Sequence, residues 1–228
     1  GIRQATDQRH NFHAPRYSPD GHRLSLDFNS ADGRDVWILS PDQGALTRAT
    51  FDHDGHDATW TPDGRFLTYT STKSGTFGIY RLRPGAAAPA ESLLASAKLA
   101  YTGLWLPDGS GLLTDGLDLV TGSGLDVGVI RNGGHGPIEP LVASTYLENY
   151  AVPSPDGRWL AFASDQSRRQ EVYLQPLDGK GDQAQVPQDG GTEPVWAPDA
   201  RELDDRGCRR RHHVTSTAPP GPHRAAPR

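Results

Sequence analysis

The chain has 228 residues, 35% of them hydrophobic, with 26 Gly and 19 Pro spread along its length, a composition that points to many turns between short strands and away from helical bundles. It contains no run of about 18 apolar residues, so nothing in it is expected to enter a membrane, and its start lacks the charged, apolar, small-residue order of a secretory signal. Six Arg and no acidic residue in 206–228 leave 17 Lys and Arg against 28 Asp and Glu before them, a formal charge of −11 that disfavours nucleic acid and suits cations or basic peptides. No Met is present, and the reading frame is expected to begin upstream of Gly1. A single Cys208 cannot form a disulfide within the chain and leaves the redox compartment open.

In chain order, Gly1–Asp7 reads like Gly44–Thr50, so the chain is expected to open with the outer strand of a preceding unit. Tyr17-Ser18-Pro19-Asp20-Gly21 follows, and the same turn recurs at Trp60-Thr61-Pro62-Asp63-Gly64, Trp105-Leu106-Pro107-Asp108-Gly109, Ser154-Pro155-Asp156-Gly157 and, degraded, Trp196-Ala197-Pro198-Asp199-Ala200. The steps between prolines are 43, 45, 48 and 43 residues, a period that indicates stacked structural units. Turn chemistry explains the residue types: Pro fixes φ, Asp bonds the backbone just beyond it, and Gly accepts positive φ without steric cost.

Alternation then predicts a strand after each turn, with Leu24, Leu26 and Phe28, Leu67 and Tyr69, or Leu160 and Phe162 on one face. A third strand holds register, since Val36, Ile79 and Val172 each lie 17 residues beyond their proline. Val127 lies 20 beyond, and the three extra residues fall in the Gly-rich connection before it, where insertions are tolerated. Residues 84–101 have helix-forming composition, but their place in the repeat predicts an outer strand at Glu91–Ala95. Beyond Trp196 the pattern fails, and 206–228 is expected to be either a disordered basic tail or the product of a shifted frame that no longer encodes its strands.

Four strands in some 43 residues make a propeller blade, so the expected fold class is an all-β propeller of four-stranded blades, incomplete, with about four full blades plus partial first and last ones. The repeats occupy 1–205, with turns at 18–21, 61–64, 106–109, 154–157 and 197–200. Such a chain is expected to form an open or poorly closed ring, with exposed edges at the first blade and near Trp196.

These turns, with the Asp-Ile-Tyr-like third strand, resemble the TolB-like propeller repeat. Leu46–Asp52 running into Trp60–Arg65, and later Ser154–Ala161, Glu171-Val172-Tyr173 and Gly190–Trp196, are similar to the propeller attached C-terminally to many bacterial serine/threonine protein kinases, over residues 1 to about 203. The resemblance implies a non-catalytic module that binds a protein, a peptide or a small ligand at its channel, without a cofactor and in an extracytoplasmic or periplasmic setting. It also leaves open a gating propeller of a prolyl oligopeptidase-like peptidase and a TolB-type periplasmic scaffold. Pro153, Ala200 and the tail depart from the pattern and bear on the last blade.

The sequence carries no Gly-x-Ser-x-Gly elbow, no His-Arg-Asp and no Asp-Phe-Gly, so neither hydrolase nor kinase chemistry is expected in it. The candidate binding residues are Asp52, His53, Asp54, His56 and Asp57, with His10 and His13 at the same distances, nine and six residues, before their own proline. Both groups are expected on the connection between blades, near the channel mouth. His and Asp suit a transition metal if three or four converge, and otherwise belong to a solvated turn; no metal is assigned. The aromatics Tyr17, Trp60, Trp105 and Trp196, and Trp37, Tyr80 and Tyr173, are expected in packing between blades.

Overall fold

The computed structural model describes residues 4–96, 100–117, 119, 124–186, 190–206 and 212–213, with backbone alone at 117, 205, 206, 212 and 213. Two compact units are distinguished, one of residues 1–105, 109–114 and 130–138, the other of 106–108, 115–129 and 139–228.

Local turn chemistry sets the frame in both. Gly21, Gly64, Gly109 and Gly157 have φ between 67° and 73°, in the left-handed region that glycine enters freely. In the second turn the Gly64 amide donates to the Thr61 carbonyl at 2.8 Å, and the Thr61 hydroxyl donates to Asp63 Oδ1 at 2.6 Å, which also accepts the Arg65 amide. Ser18 with Asp20, and Ser154 with Asp156, repeat this arrangement. Where Gly is replaced, Ala200 is itself held at φ 60° and its amide still closes the turn on Ala197.

The first unit contains β1 (His13–Tyr17), β2 (Leu24–Ser30), β3 (Gly33–Ser40) and β4 (Ala45–Arg48), antiparallel in that order, then β5 (His56–Trp60), β6 (Leu67–Ser71), β7 (Phe77–Leu82) and β8 (Glu91–Ser96) in the same order. β8 lies where position in the repeat predicted a strand against helical propensity, because pairing with β7 satisfies its backbone. A third sheet comprises β9 (Ala100–Trp105), β10 (Leu112–Leu117), β11 (Leu125–Ile130) and β12 (Ile138–Val142), and the division between units falls within its sequence. Between β11 and β12, Arg131–Gly134 makes a helical turn, α1, but Asn132 and Gly133 are left-handed, so it is a tight reversal and not a regular helix.

The second unit contains β13 (Glu148–Pro153), β14 (Trp159–Ser164), β15 (Glu171–Pro176) and β16 (Ala184–Gln185), then a three-stranded sheet of β17 (Thr192–Trp196), β18 (Glu202–Arg206) and β19 (His212–His213). The third-strand register is the predicted one: Asp27 faces Val36, Thr70 faces Ile79 and Ala163 faces Val172, the same pairing of repeat positions three times. All of this is the architecture of propeller blades.

Three expectations are corrected. Residues 4–12 carry no strand; instead Ala5 and Phe12 pack on Leu26, Phe28 and Leu39, and the His10 ring stacks on Phe28 at 4.1 Å. Arg201-Glu202-Leu203 resembles the opening of a second strand, but the segment after Ala200 is not expected to complete its middle strands; it does form β18 and β19, since β18 pairs with β17 through backbone groups that need no particular side chain, and Leu203 is buried beside Trp196. The remainder of the expected tail, with Cys208, lies outside the described residues.

The third correction concerns the turn aromatics. Trp60 packs on Val36 and Ile38 of the preceding blade and donates its indole N–H to the Arg16 carbonyl at 3.2 Å. Trp196 does the same to Val152 at 3.1 Å, and Trp105 is buried with its indole on Thr68. Tyr17, at the same repeat position, is 66% exposed, because no described strand precedes β1 to receive it.

Candidate functional site

Every inner strand with a described register is interrupted at one place. Register slips between His13 and Arg16, His56 and Thr59, Asn149 and Val152, and Thr192 and Val195, and a residue in each bulge takes positive φ: Ala14, Asp57, Tyr150 and Glu193. All four lie five residues before their proline. A bulge re-aims its side chain and frees one backbone amide from the ladder.

At two of these bulges, and at the matching position Thr102 of β9, the preceding blade captures that amide. Asp27 Oδ2 accepts the Asp57 N–H at 3.0 Å and Asp115 Oδ2 accepts that of Tyr150 at 2.9 Å, while Thr70 Oγ1 takes the Thr102 N–H at 2.9 Å. Asp27, Thr70 and Asp115 each stand eight residues beyond a proline, on the second strand of their blade. Asp27 is fully buried and its other oxygen takes Arg34 Nε at 2.6 Å, so its charge is compensated where water cannot reach it.

A second buried acid holds the connection after β4. Asp35 opens the core of β3, accepts the Thr50 hydroxyl at 2.7 Å and the His53 amide at 3.3 Å, and is paired with Arg48. Its counterpart in the fourth blade, Glu171, accepts the Gly190 amide and pairs with Arg169. The connection runs so close to the β2–β3 turn that a Cβ on Gly33 would stand 2.4 Å from the His53 carbonyl oxygen, which explains a glycine there.

The predicted candidates therefore separate. Asp52 accepts the Tyr69 hydroxyl at 2.7 Å and Lys73 Nζ at 2.9 Å, and Tyr69, buried and beside that carboxylate, is pushed well above the ordinary tyrosine range. Asp54 accepts the amide of Thr72 at 2.6 Å and its hydroxyl. Both carboxylates thus pin the β6–β7 turn. His53 Nδ1 faces Arg48 at 3.1 Å, and His10 lies on Phe28. Among the described residues no three His, Cys, Asp or Glu side chains converge to hold a metal ion.

His13 and His56 sit at the starts of β1 and β5 and not on the connection. His56, nearly buried, places Nδ1 3.0 Å from Asp57 Oδ2, and its ring lies 5.9 Å from that of Tyr101. Burial pushes the Asp57 carboxyl up, but the hydrogen bond from His56 and the charges of His56, Arg34 and Arg16 outweigh it and leave it below the ordinary range. Asp57 is therefore an ionised, partly exposed carboxylate on a left-handed bulge, able to accept a cation or hydrogen-bond donors. Asp27, Thr70, Asp115 and Asp35 were missed as a set, although an acid eight beyond Pro19 and Pro107 was a legible signal.

The model of the TolB beta propeller domain matches residues 2–200. The chain belongs to this family. Its TolB-like blades are also similar to solved structures at identities that show the fold alone. Putative TolB from Agrobacterium tumefaciens is 22% identical with a TM-score of 0.72, over 87% of this chain and 70% of that one. TolB from Acinetobacter baumannii is 16% identical with a TM-score of 0.72, over 86% and 48% of the two chains. The β-propeller domain of the Trilobed protease from Pyrococcus furiosus is 13% identical with a TM-score of 0.61, over 86% and 64%. No curated protein matches the chain.

Proposed function

We propose that this TolB-like propeller is a non-catalytic module that binds a protein or peptide through its inner strands, within a larger bacterial protein such as a receptor-type serine/threonine kinase. The observation that carries the binding reading is the bulge at Asp57: Asp52 and Asp54 are consumed in holding a turn, whereas Asp57 is ionised, partly exposed and re-aimed out of the ladder. His13, exposed at the start of β1, is included in the proposed surface as the repeat counterpart of His56. A basic or hydrogen-bond-donating peptide fits a carboxylate so placed. The formal charge of −11 over the repeats argues against a nucleic-acid partner.

The test is site-specific photo-crosslinking. A crosslinking residue at 57 or 13 is expected to capture a polypeptide that one at Thr47, on outer strand β4, does not. Equal capture from both strands would remove the inner-strand reading. The kinase context is tested separately by the coding sequence that flanks the chain: His-Arg-Asp and Asp-Phe-Gly motifs upstream support it, and a Gly-x-Ser-x-Gly elbow downstream would favour a peptidase instead.

A further inference from the structure

At the end of β6 that carries its Pro-Asp-Gly turn, three guanidinium groups surround one ring. The Cζ atoms of Arg81, Arg83 and Arg65 lie 5.1, 5.3 and 5.9 Å from the centroid of Phe66, which is half-buried. Beside them Arg23 lies 4.3 Å over the Trp60 ring and donates to the Gly64 carbonyl at 3.0 Å. Like charges gathered on a neutral ring repel one another, and this happens in a repeat region whose net charge is −11.

Their counter-charges are unequal. Glu91 takes two hydrogen bonds from Arg81, at 2.7 and 3.0 Å, and His135 lies 3.1 Å from the same guanidinium. Asp20 is 3.9 Å from Arg23. Among the described residues the acid paired with Arg65 is its own turn residue Asp63, at 4.0 Å, and Asp63 is already engaged by the Thr61 hydroxyl and the Arg65 amide. Arg83 is exposed, and its described contact is with Phe66. Two exposed guanidinium groups thus lie within 6 Å of one aromatic ring.

We propose that Arg65 and Arg83, seated on Phe66, form a docking site for a carboxylate-rich segment of a protein partner. A guanidinium attracted to an aromatic ring loses less freedom on binding and offers a carboxylate two parallel N–H groups. A short acidic peptide can be confined to this patch, whereas a longer nucleic acid would be opposed by the net charge of −11 over the repeat region. The site is separate from the inner-strand surface proposed above and does not depend on it.

The test titrates a fluorescent hexaglutamate peptide into the full 228-residue chain at low salt and follows anisotropy. R65Q/R83Q is expected to weaken binding by about fivefold to tenfold, as the loss of two exposed charge pairs implies. R65K/R83K should recover only part of it, and R158Q, an exposed arginine in the turn after Pro155, should change nothing. The arginines of 206–228 are present in every variant, so the differences report the cluster. R83Q alone, at an exposed position, serves if the double variant melts early. The proposal is overturned if native protein does not bind the peptide, if R65Q/R83Q binds it undiminished, if R158Q weakens it equally, or if inorganic phosphate at matched ionic strength binds more tightly than the peptide.

Discussion

Replacing Gly64 by valine isolates backbone strain in the turn that defines the repeat. Gly64 has φ +67°, and a Cβ built there would find Pro19 Cδ at 3.5 Å and Arg23 Nη2 at 3.9 Å, both ordinary contacts, so there is room for the side chain. The cost is then conformational: about 1 to 2 kcal/mol for any L-residue in the left-handed region, more for a β-branched one, offset by roughly 0.4 to 1 kcal/mol from the less flexible unfolded chain. Gly64→Ala should therefore cost about 0.5 to 1 kcal/mol and Gly64→Val about 1 to 3 kcal/mol. Ala200, at φ 60° in the equivalent place, shows that the turn accepts a methyl group. Gly109, at φ 72° with nothing within 4 Å of its Cβ position, supplies the matched control, and Gly109→Val should cost the same. The assay is the urea midpoint of each variant, converted with a common m-value. A Gly64→Val protein as stable as native would refute the strain argument, and a cost far above that of Gly109→Val would show that contact with Pro19, and not φ, dominates.

Asp35→Ala strands the Arg48 charge and the Thr50 and His53 donors, and should cost about 3 to 5 kcal/mol in urea unfolding; a loss below about 1 kcal/mol would mean the connection is held by other contacts. Glu148 is buried and pushed above its ordinary value of 4.5 by desolvation, then by Asp126 and Asp165, despite hydrogen bonds from Ser144. Its folded state favours the proton, so stability from this group is present at acid pH and lost as pH rises through the folded pKa. Glu148→Gln should accordingly stabilise the protein at pH 7 and not below the ordinary glutamate range, and thermal melts across pH will show an unchanged difference if the reasoning fails. Asp57 has the opposite sign: its depressed pKa gives stability above the ordinary aspartate value of 3.8 that is lost as pH falls through the folded pKa. Asp57→Asn should flatten the acid limb of the same melts, and an unaltered limb would mean that His56, Arg34 and Arg16 do not stabilise its charge.

Turn chemistry and strand alternation act over a few residues, which is why the sequence by itself determined so much. Pro62, Asp63 and Gly64 dictate a reversal through φ preferences and local hydrogen bonds made within Thr61–Phe66, and the offset of 17 to Val36, Ile79 and Val172 follows from strand and loop lengths alone. The repeat even outweighed helical propensity at Glu91–Ser96. What tertiary structure decided depends on partners 17 to 44 positions away in the sequence. The bulge residues Ala14, Asp57, Tyr150 and Glu193 share no side-chain type, so only their register and the acceptors Asp27 and Asp115 reveal them. Asp52 and Asp54 looked like ligands beside His53 and His56 until Tyr69, Lys73 and Thr72 claimed them. Tyr17 carries the same motif as Trp60 yet is exposed, because burial is a property of what lies across from a side chain, and a local sequence pattern does not contain it.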